Sequence, residues 1–165
     1  ADDAQIIPVP GTREALHVLG HLVSGTKPNA VALVTNPFYH AWRAGALASG
    51  GEVRFLNSGA NHNFLPDLQA IDEDILARTV LLYLCSPTNP HGSIMDLNYL
   101  KMALSMARQH NFLVVMDLGS VMCPSIIVKR MIQVRNPRTA TWDESVPTLR
   151  LKCSIRFASQ SKAAF

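Results

Sequence analysis

Short apolar runs take turns with amphipathic helical stretches across residues 1 to 117, and that alternation leaves few folds open. Ala30 to Thr35 and Thr79 to Cys85 are apolar almost without interruption, which marks strands buried on both faces rather than one. Glu52 to Leu56 and Phe112 to Met116, the latter ending at Asp117, are further strand candidates. Thr12 to Val23 has apolar residues at Ala15, Leu16, Leu19, Leu22 and Val23, the spacing of one helix face. Tyr39 to Ser49 reads as a second helix closed by Gly50-Gly51. Pro66 to Arg78 carries a third, with acidic residues near its middle. Asp96 can cap a fourth that runs to about His110 and turns Leu97, Leu100, Ala103, Leu104 and Ala107 inward. The pattern predicts an α/β fold: three layers, a mainly parallel sheet with helices on both faces.

Residues 118 to 165 break the rhythm. Prolines, arginines and threonines scatter there, and only Ser125 to Met131 could form a short strand or helix, so an irregular tail is expected. The 165 residues suffice for one domain with a real core. With 48% apolar and 16% charged residues, the chain as a whole is not of the disordered class. No apolar run reaches bilayer-spanning length, and the first residues lack the basic-then-apolar order of a signal peptide. Cys85, Cys123 and Cys153 are odd in number and far apart, which suits a reducing compartment. A cytoplasmic chain without a membrane partner is therefore expected. The net charge is only +3, and six of the fifteen Lys and Arg residues fall between Lys129 and Lys152. No basic–aromatic motif accompanies them, so no nucleic-acid partner is expected, and no metal site either. The absence of G-x-G-x-x-G and of G-x-x-x-x-G-K-[ST] argues against a nucleotide module.

Ligands of an open parallel sheet bind beyond the carboxyl ends of its strands. Four features fall at such ends or at a helix start. Pro10-Gly11-Thr12-Arg13-Glu14 opens a helix, where free N–H groups and the helix dipole can hold a phosphate. The same string also fits an ordinary capped helix. Asn36-Pro37-Phe38-Tyr39 follows a strand, and an aromatic there can lie on a planar ring or simply pack on the sheet. Cys85-Ser86-Pro87-Thr88-Asn89-Pro90-His91-Gly92 is a proline- and glycine-stiffened loop in which Asn89 can donate to a phenolate oxygen. Asp117 ends Val114-Val115-Met116, where a carboxylate can pair with a protonated pyridine nitrogen or serve as a plain loop residue.

In this order the four features resemble the large domain of class I/II aminotransferases of fold type I, and among them the bacterial succinyldiaminopimelate-type transaminases. Pro8 to Leu16, Asn36 to Tyr39, Phe64-Leu65-Pro66-Asp67 and Leu82 to Pro90 carry the likeness, which covers roughly residues 5 to 117. It implies pyridoxal 5'-phosphate as cofactor, with Gly11, Thr12 and Arg13 near its phosphate. It further implies Tyr39 or Phe38 on its ring, Asn89 on the ring hydroxyl oxygen and Asp117 on the pyridine nitrogen. The family's Asn-Pro-Thr-Gly reads Asn89-Pro90-His91-Gly92 here. Amino-acid and 2-oxo-acid substrates, a place in amino-acid or lysine biosynthesis and a homodimer follow from the same likeness.

The likeness stops at Asp117. The family has Asp-Glu-x-Tyr where this chain has Asp117-Leu118-Gly119-Ser120, and later a Ser-x-Ser-Lys segment whose lysine holds the cofactor as a Schiff base. Lys129, Lys152 and Lys162 do not sit in that pattern, so no catalytic residue is assigned. The family's amino-terminal segment and small domain have no counterpart among these residues. Residues 1–117 thus read as a partial cofactor-binding large domain, and 118–165 as out-of-frame sequence. Codon degeneracy lets the frame that starts at each third base encode Glu-Cys-Tyr across Gly119 to Met122, and Val-Phe-His-Ser-Leu-x-Lys across Lys152 to Ser159. Two expectations stand side by side: an aminotransferase fragment that does not turn over, or a non-catalytic pseudogene product.

Overall fold

The structure is a computed structural model that describes residues 6–117, 128–133 and 148–153; residues 6–8 and the last two segments are described by backbone alone. Its strands are β1 (Ile6–Pro8), β2 (Val31–Asn36), β3 (Glu52–Asn57), β4 (Thr79–Cys85), β5 (Leu113–Asp117), β6 (Val128–Gln133) and β7 (Thr148–Cys153). Its helices are α1 (Thr12–Ser24), α2 (His40–Ala48), α3 (Glu73–Arg78) and α4 (Leu97–His110). The strands form one sheet in the order β1-β7-β6-β5-β4-β2-β3. Every described pairing is parallel except the two made by β6, so the sheet is mainly parallel as expected.

Alternation along each strand sends successive side chains to opposite faces, and the two faces build separate cores. Val31 and Leu33 of β2, Leu82 and Leu84 of β4, and Val114 and Met116 of β5 meet Leu76 of α3 and Ala103 and Ala107 of α4. Ala32 and Val34, Leu81 and Tyr83, and Val115 meet Leu16 of α1 and Ala41, Trp42 and Ala46 of α2. Because both faces are covered, β2 and β4 are buried almost end to end, which is why they read as continuous apolar runs.

Two glycines set how closely α1 and α2 cross. A Cβ on Gly45 would meet the carbonyl oxygen of His17, with the His17 backbone carbons at 3.0 Å. One on Gly20 would lie 3.1 Å from the Ala46 nitrogen and 2.8 Å from the Tyr83 hydroxyl. That hydroxyl donates to the Leu16 carbonyl at 2.8 Å, and the Tyr83 ring stacks on Trp42 at 5.2 Å, so one side chain joins β4 to both helices. Gly45→Ala is expected to lower stability by about 1–3 kcal/mol through overpacking. Chemical unfolding checks this; an unchanged midpoint would mean the helices separate without cost.

Two expectations need correction. The third helix does not begin at Pro66. A 3-10 turn at Leu68–Ala70 and an extended Ile71 come first, and α3 covers only Glu73–Arg78. Asp67 accepts from the Gln69 N–H at 3.0 Å, a local bond that competes with helix formation. The irregular tail does not hold at β6, which overlaps the Ser125 to Met131 candidate, nor at β7, whose Leu149, Leu151 and Cys153 alternate with Thr148, Arg150 and Lys152, a period-2 pattern that the scattered prolines and arginines around it obscured. The remainder of 118–165, including the Gly119–Met122 string, Lys162 and most of the Lys152–Ser159 string, lies outside the described residues. A strand at Ile6–Pro8 also went unread in the sequence.

Ion pairs tie the rim opposite the strand carboxyl ends. Arg78 reaches Glu52 at 2.9 Å and the Asn29 carbonyl at 3.3 Å. The Arg78 hydrogen bond, with Arg54 nearby, holds the Glu52 carboxyl below its ordinary range against the opposing effect of desolvation.

Candidate functional site

The chain reverses direction across the sheet around β4: β2 and β3 lie on one side of it and β5 on the other. A cavity of about 600 Å³ opens there, at the carboxyl ends of β2, β4 and β5, where such a fold places its ligands. Thr35 and Pro37 border it from β2 and the loop after it, Cys85 from β4, and Asp117 from β5. The register pairs Cys85 with Asp117, and Ser86 N–H donates to the Asp117 carbonyl at 2.9 Å, so these two strand ends are locked level. Asn36 Nδ2 donates to Asn57 Oδ1 at 2.9 Å and ties the ends of β2 and β3.

The loop after β4 is held by its own hydrogen bonds. Thr88 N–H donates to the Ser93 carbonyl, Gly92 N–H to the Thr88 carbonyl, and Ser93 N–H to Thr88 Oγ1, all within 2.9 Å. Gly92 sits at φ +74°, a region that favours glycine. This turn carries Asn89 and His91, both exposed and both bordering the cavity.

Thr12 brings the start of α1 to the same cavity. Gly11 is the N-cap residue and makes no side-chain cap, so the first N–H groups of α1 have no side-chain acceptor from it. An N-terminus in this state favours an anion. Arg13 Nε donates to the Tyr39 hydroxyl at 3.0 Å, linking α1 to the start of α2. That bond raises the Arg13 pKa above its ordinary value. Tyr39 is half-buried, edge-on to Trp42 at 6.3 Å, whereas Phe38 is exposed and leans on Phe55 at 4.9 Å.

Of the residues singled out in the sequence, Thr12, Phe38, Tyr39, Asn89 and Asp117 border the one cavity. Gly11 and Arg13 do not border it; they sit beside it, as N-cap and as the partner of Tyr39. Trp42 and Ser58 border it too and were not singled out, and Phe64, which stands in one of the strings that carry the likeness, was given no role. Trp42 lies one helical step after Tyr39, a spacing that could have flagged it. Ser58 and Phe64 belong to the irregular stretch after β3, which carries no periodic signal. Among the described residues no cluster of three or more His, Cys, Asp or Glu is arranged for a metal ion, and no helix is long and apolar enough to cross a membrane.

The profile of the family "Aminotransferase class I and II" matches residues 1–118. The LL-diaminopimelate aminotransferase of Dehalococcoides mccartyi is 33% identical over 116 residues, 70% of this chain and 29% of that protein. That of Moorella thermoacetica is 36% identical over 90 residues, 54% of this chain and 23% of that protein. This chain therefore spans less than a third of the length of these curated relatives. Among solved structures, an aminotransferase from Neisseria meningitidis superimposes with a TM-score of 0.62 at 34% identity, over 67% of this chain and 28% of that one. A probable N-succinyldiaminopimelate aminotransferase from Thermus thermophilus does so with a TM-score of 0.58 at 26% identity, over 66% and 28%.

Proposed function

Because the chain belongs to the class I and II aminotransferases, a family that uses pyridoxal 5'-phosphate, we propose that its cavity is the cofactor-binding half of a transaminase site. The reaction is transfer of an amino group between an amino acid and a 2-oxo acid, in amino-acid biosynthesis and, by the names of the relatives, in the branch that makes lysine. A cytoplasmic location and a homodimer belong to the same reading.

The residues present fit the cofactor. The start of α1 at Gly11, Thr12 and Arg13, where a glycine N-cap lets the backbone be approached closely, suits its phosphate. Tyr39, with Phe38 beside it, suits the face of its ring; the tie from Tyr39 to Arg13 favours Tyr39. Asn89 suits the ring hydroxyl oxygen. When bound, the cofactor supplies an electron sink for bonds at the amino-acid α-carbon. Asp117 would keep a proton on the pyridine nitrogen, since a half-buried carboxylate favours the protonated partner. The single observation that carries the reading is that Thr12, Tyr39, Asn89 and Asp117, far apart in the chain, border one cavity at the strand ends.

The 165 residues contain no lysine in the family's Ser-x-Ser-Lys pattern. The reading therefore includes reversible cofactor binding without turnover by this chain, with 1–117 as partial large domain and 118–165 as out-of-frame sequence. Titration of the chain with pyridoxal phosphate, followed by borohydride, tests it. Saturable absorbance changes without a fixed adduct are expected. A stoichiometric reduced adduct on one lysine would refute the claim of inactivity, and no binding would refute the cofactor site. The coding DNA tests the tail: an alternate frame lacking both Glu-Cys-Tyr and the lysine string ends the frameshift idea. The pseudogene alternative predicts a chain without cooperative unfolding.

A further inference from the structure

β3 is the last strand of the sheet, and among the described residues it pairs with β2 alone. Its ladder to β2 runs without a shift from Glu52 to Asn57. Glu52 N–H donates to the Ala30 carbonyl at 2.8 Å, and Ser58 N–H to the Asn36 carbonyl at 3.0 Å. Alternate residues of a regular parallel ladder turn to the same neighbour, so Glu52, Arg54, Leu56 and Ser58 face β2. Val53, Phe55 and Asn57 therefore turn their N–H and C=O groups outward. Natural sheets blunt such an edge with lysine, proline or a bulge. β3 has none of these. It carries instead an exposed aromatic pair: Phe55 is 43% exposed, and Phe38, which leans on it, 42%.

The edge is complementary to itself. Two copies of one strand pair antiparallel about a two-fold axis, where residue i meets j and j meets i. Outward groups must meet outward groups. An axis at Arg54 opposes two guanidinium groups, which is unfavourable. An axis at Val53, Leu56 or Asn57 leaves some of the outward residues without a partner. The axis at Phe55 uses them all. Phe55 then pairs with the partner's Phe55, and Val53 with the partner's Asn57 at either end, each pair exchanging both its hydrogen bonds. Arg54 falls opposite the partner's Leu56 and Glu52 opposite the partner's Ser58, so no like charges stand opposed. Arg54 is already paired with Glu52 of its own strand. The exposed rings of the two copies gather at the axis, where an aromatic pair adds to the backbone bonds.

We propose that β3 is an interface at which a second copy of this chain adds its own β3 antiparallel, with the two-fold axis at Phe55. The sheet then runs through both copies. The proposal stands apart from the cofactor reading.

Sedimentation velocity of the full chain over a concentration series reads the association. It is expected on the order of micromolar, since one strand makes a small interface. Phe55→Lys sets two ammonium groups at the axis and is expected to weaken association on the order of tenfold. Phe55→Glu does the same with two carboxylates. Mixed in equal amounts, the two variants are expected to associate again, because each axis then holds one charge of each sign. Circular dichroism checks that both variants fold. On the unsubstituted chain, amide hydrogen exchange is expected to slow at Val53, Phe55 and Asn57 as concentration rises, while Arg54 and Leu56 are protected by β2 throughout. A chain that stays monomeric over the whole series overturns the proposal. Association that Phe55→Lys leaves unchanged overturns it too, and places the contact on another surface. Exchange at Phe55 that ignores concentration overturns it even if neither variant folds. None of these outcomes bears on the cofactor site.

Discussion

Leu82→Ala is expected to remove about 2–5 kcal/mol from the stability of the chain, the cost of a large-to-small change where neighbours cannot close the gap. Leu82 is wholly inaccessible at the centre of β4. The register sets it between Leu33 of β2 and Val114 of β5, in the row that packs against α3 and α4. Both strand neighbours belong to backbone pinned by parallel pairing, so the sheet cannot collapse into the space. Against a total of roughly 5–15 kcal/mol for a domain of this kind, the loss is a large share. Urea unfolding measures it. Leu97→Ala is the control: the helical spacing turned Leu97 inward, but as the first residue of α4 it is 65% exposed, and its loss is expected to shift stability by no more than about 0.5 kcal/mol. Equal effects for the two would mean that β4 is not the centre of the core.

The second large effect falls on binding. Asp117→Ala is expected to weaken pyridoxal phosphate binding by roughly 10- to 100-fold, the range for a hydrogen bond to a charged group. Asp117→Asn keeps the shape and removes the charge, and most of the loss is expected to persist in it. Asp117 is half-buried, and its backbone carbonyl already serves Ser86, so the strand pairing does not depend on the carboxylate. Circular dichroism should therefore change little while the absorbance titration moves. An unchanged dissociation constant in both variants would remove Asp117 from the cofactor site.

Legibility varied with how local the cause was. The helix from Asp96 was readable because its signals sit within one turn of each other, and the Asp96 carboxylate does accept from the Tyr99 N–H at 2.7 Å. Gly50, at φ +78°, closes α2 where the sequence placed its end. The third helix was overextended because Asp67 spends its side chain on a turn before Asp72. β1 is only three residues long, too short to show a period, while β6 was half caught by the Ser125 to Met131 candidate and the alternation of β7 went unread. At the site, Thr12, Tyr39, Asn89 and Asp117 stood in recognisable strings. Phe64 stood in the Phe64-Leu65-Pro66-Asp67 string as well, but its place at the cavity depends on a left-handed turn and on a partner 27 residues away in the chain, His91.

By itself the order of apolar and amphipathic segments determined that this chain builds a parallel sheet covered on both faces, because two-sided burial leaves continuous apolar strands. It also determined which loops follow those strands, and with them most residues of the candidate site. Only the tertiary structure decided the close crossing of α1 and α2 on Gly20 and Gly45, the tie between Arg13 and Tyr39, and the stacking of Phe64 on His91. Each of these joins residues far apart in the chain, and no local pattern records a contact that exists only once the sheet has set the distance.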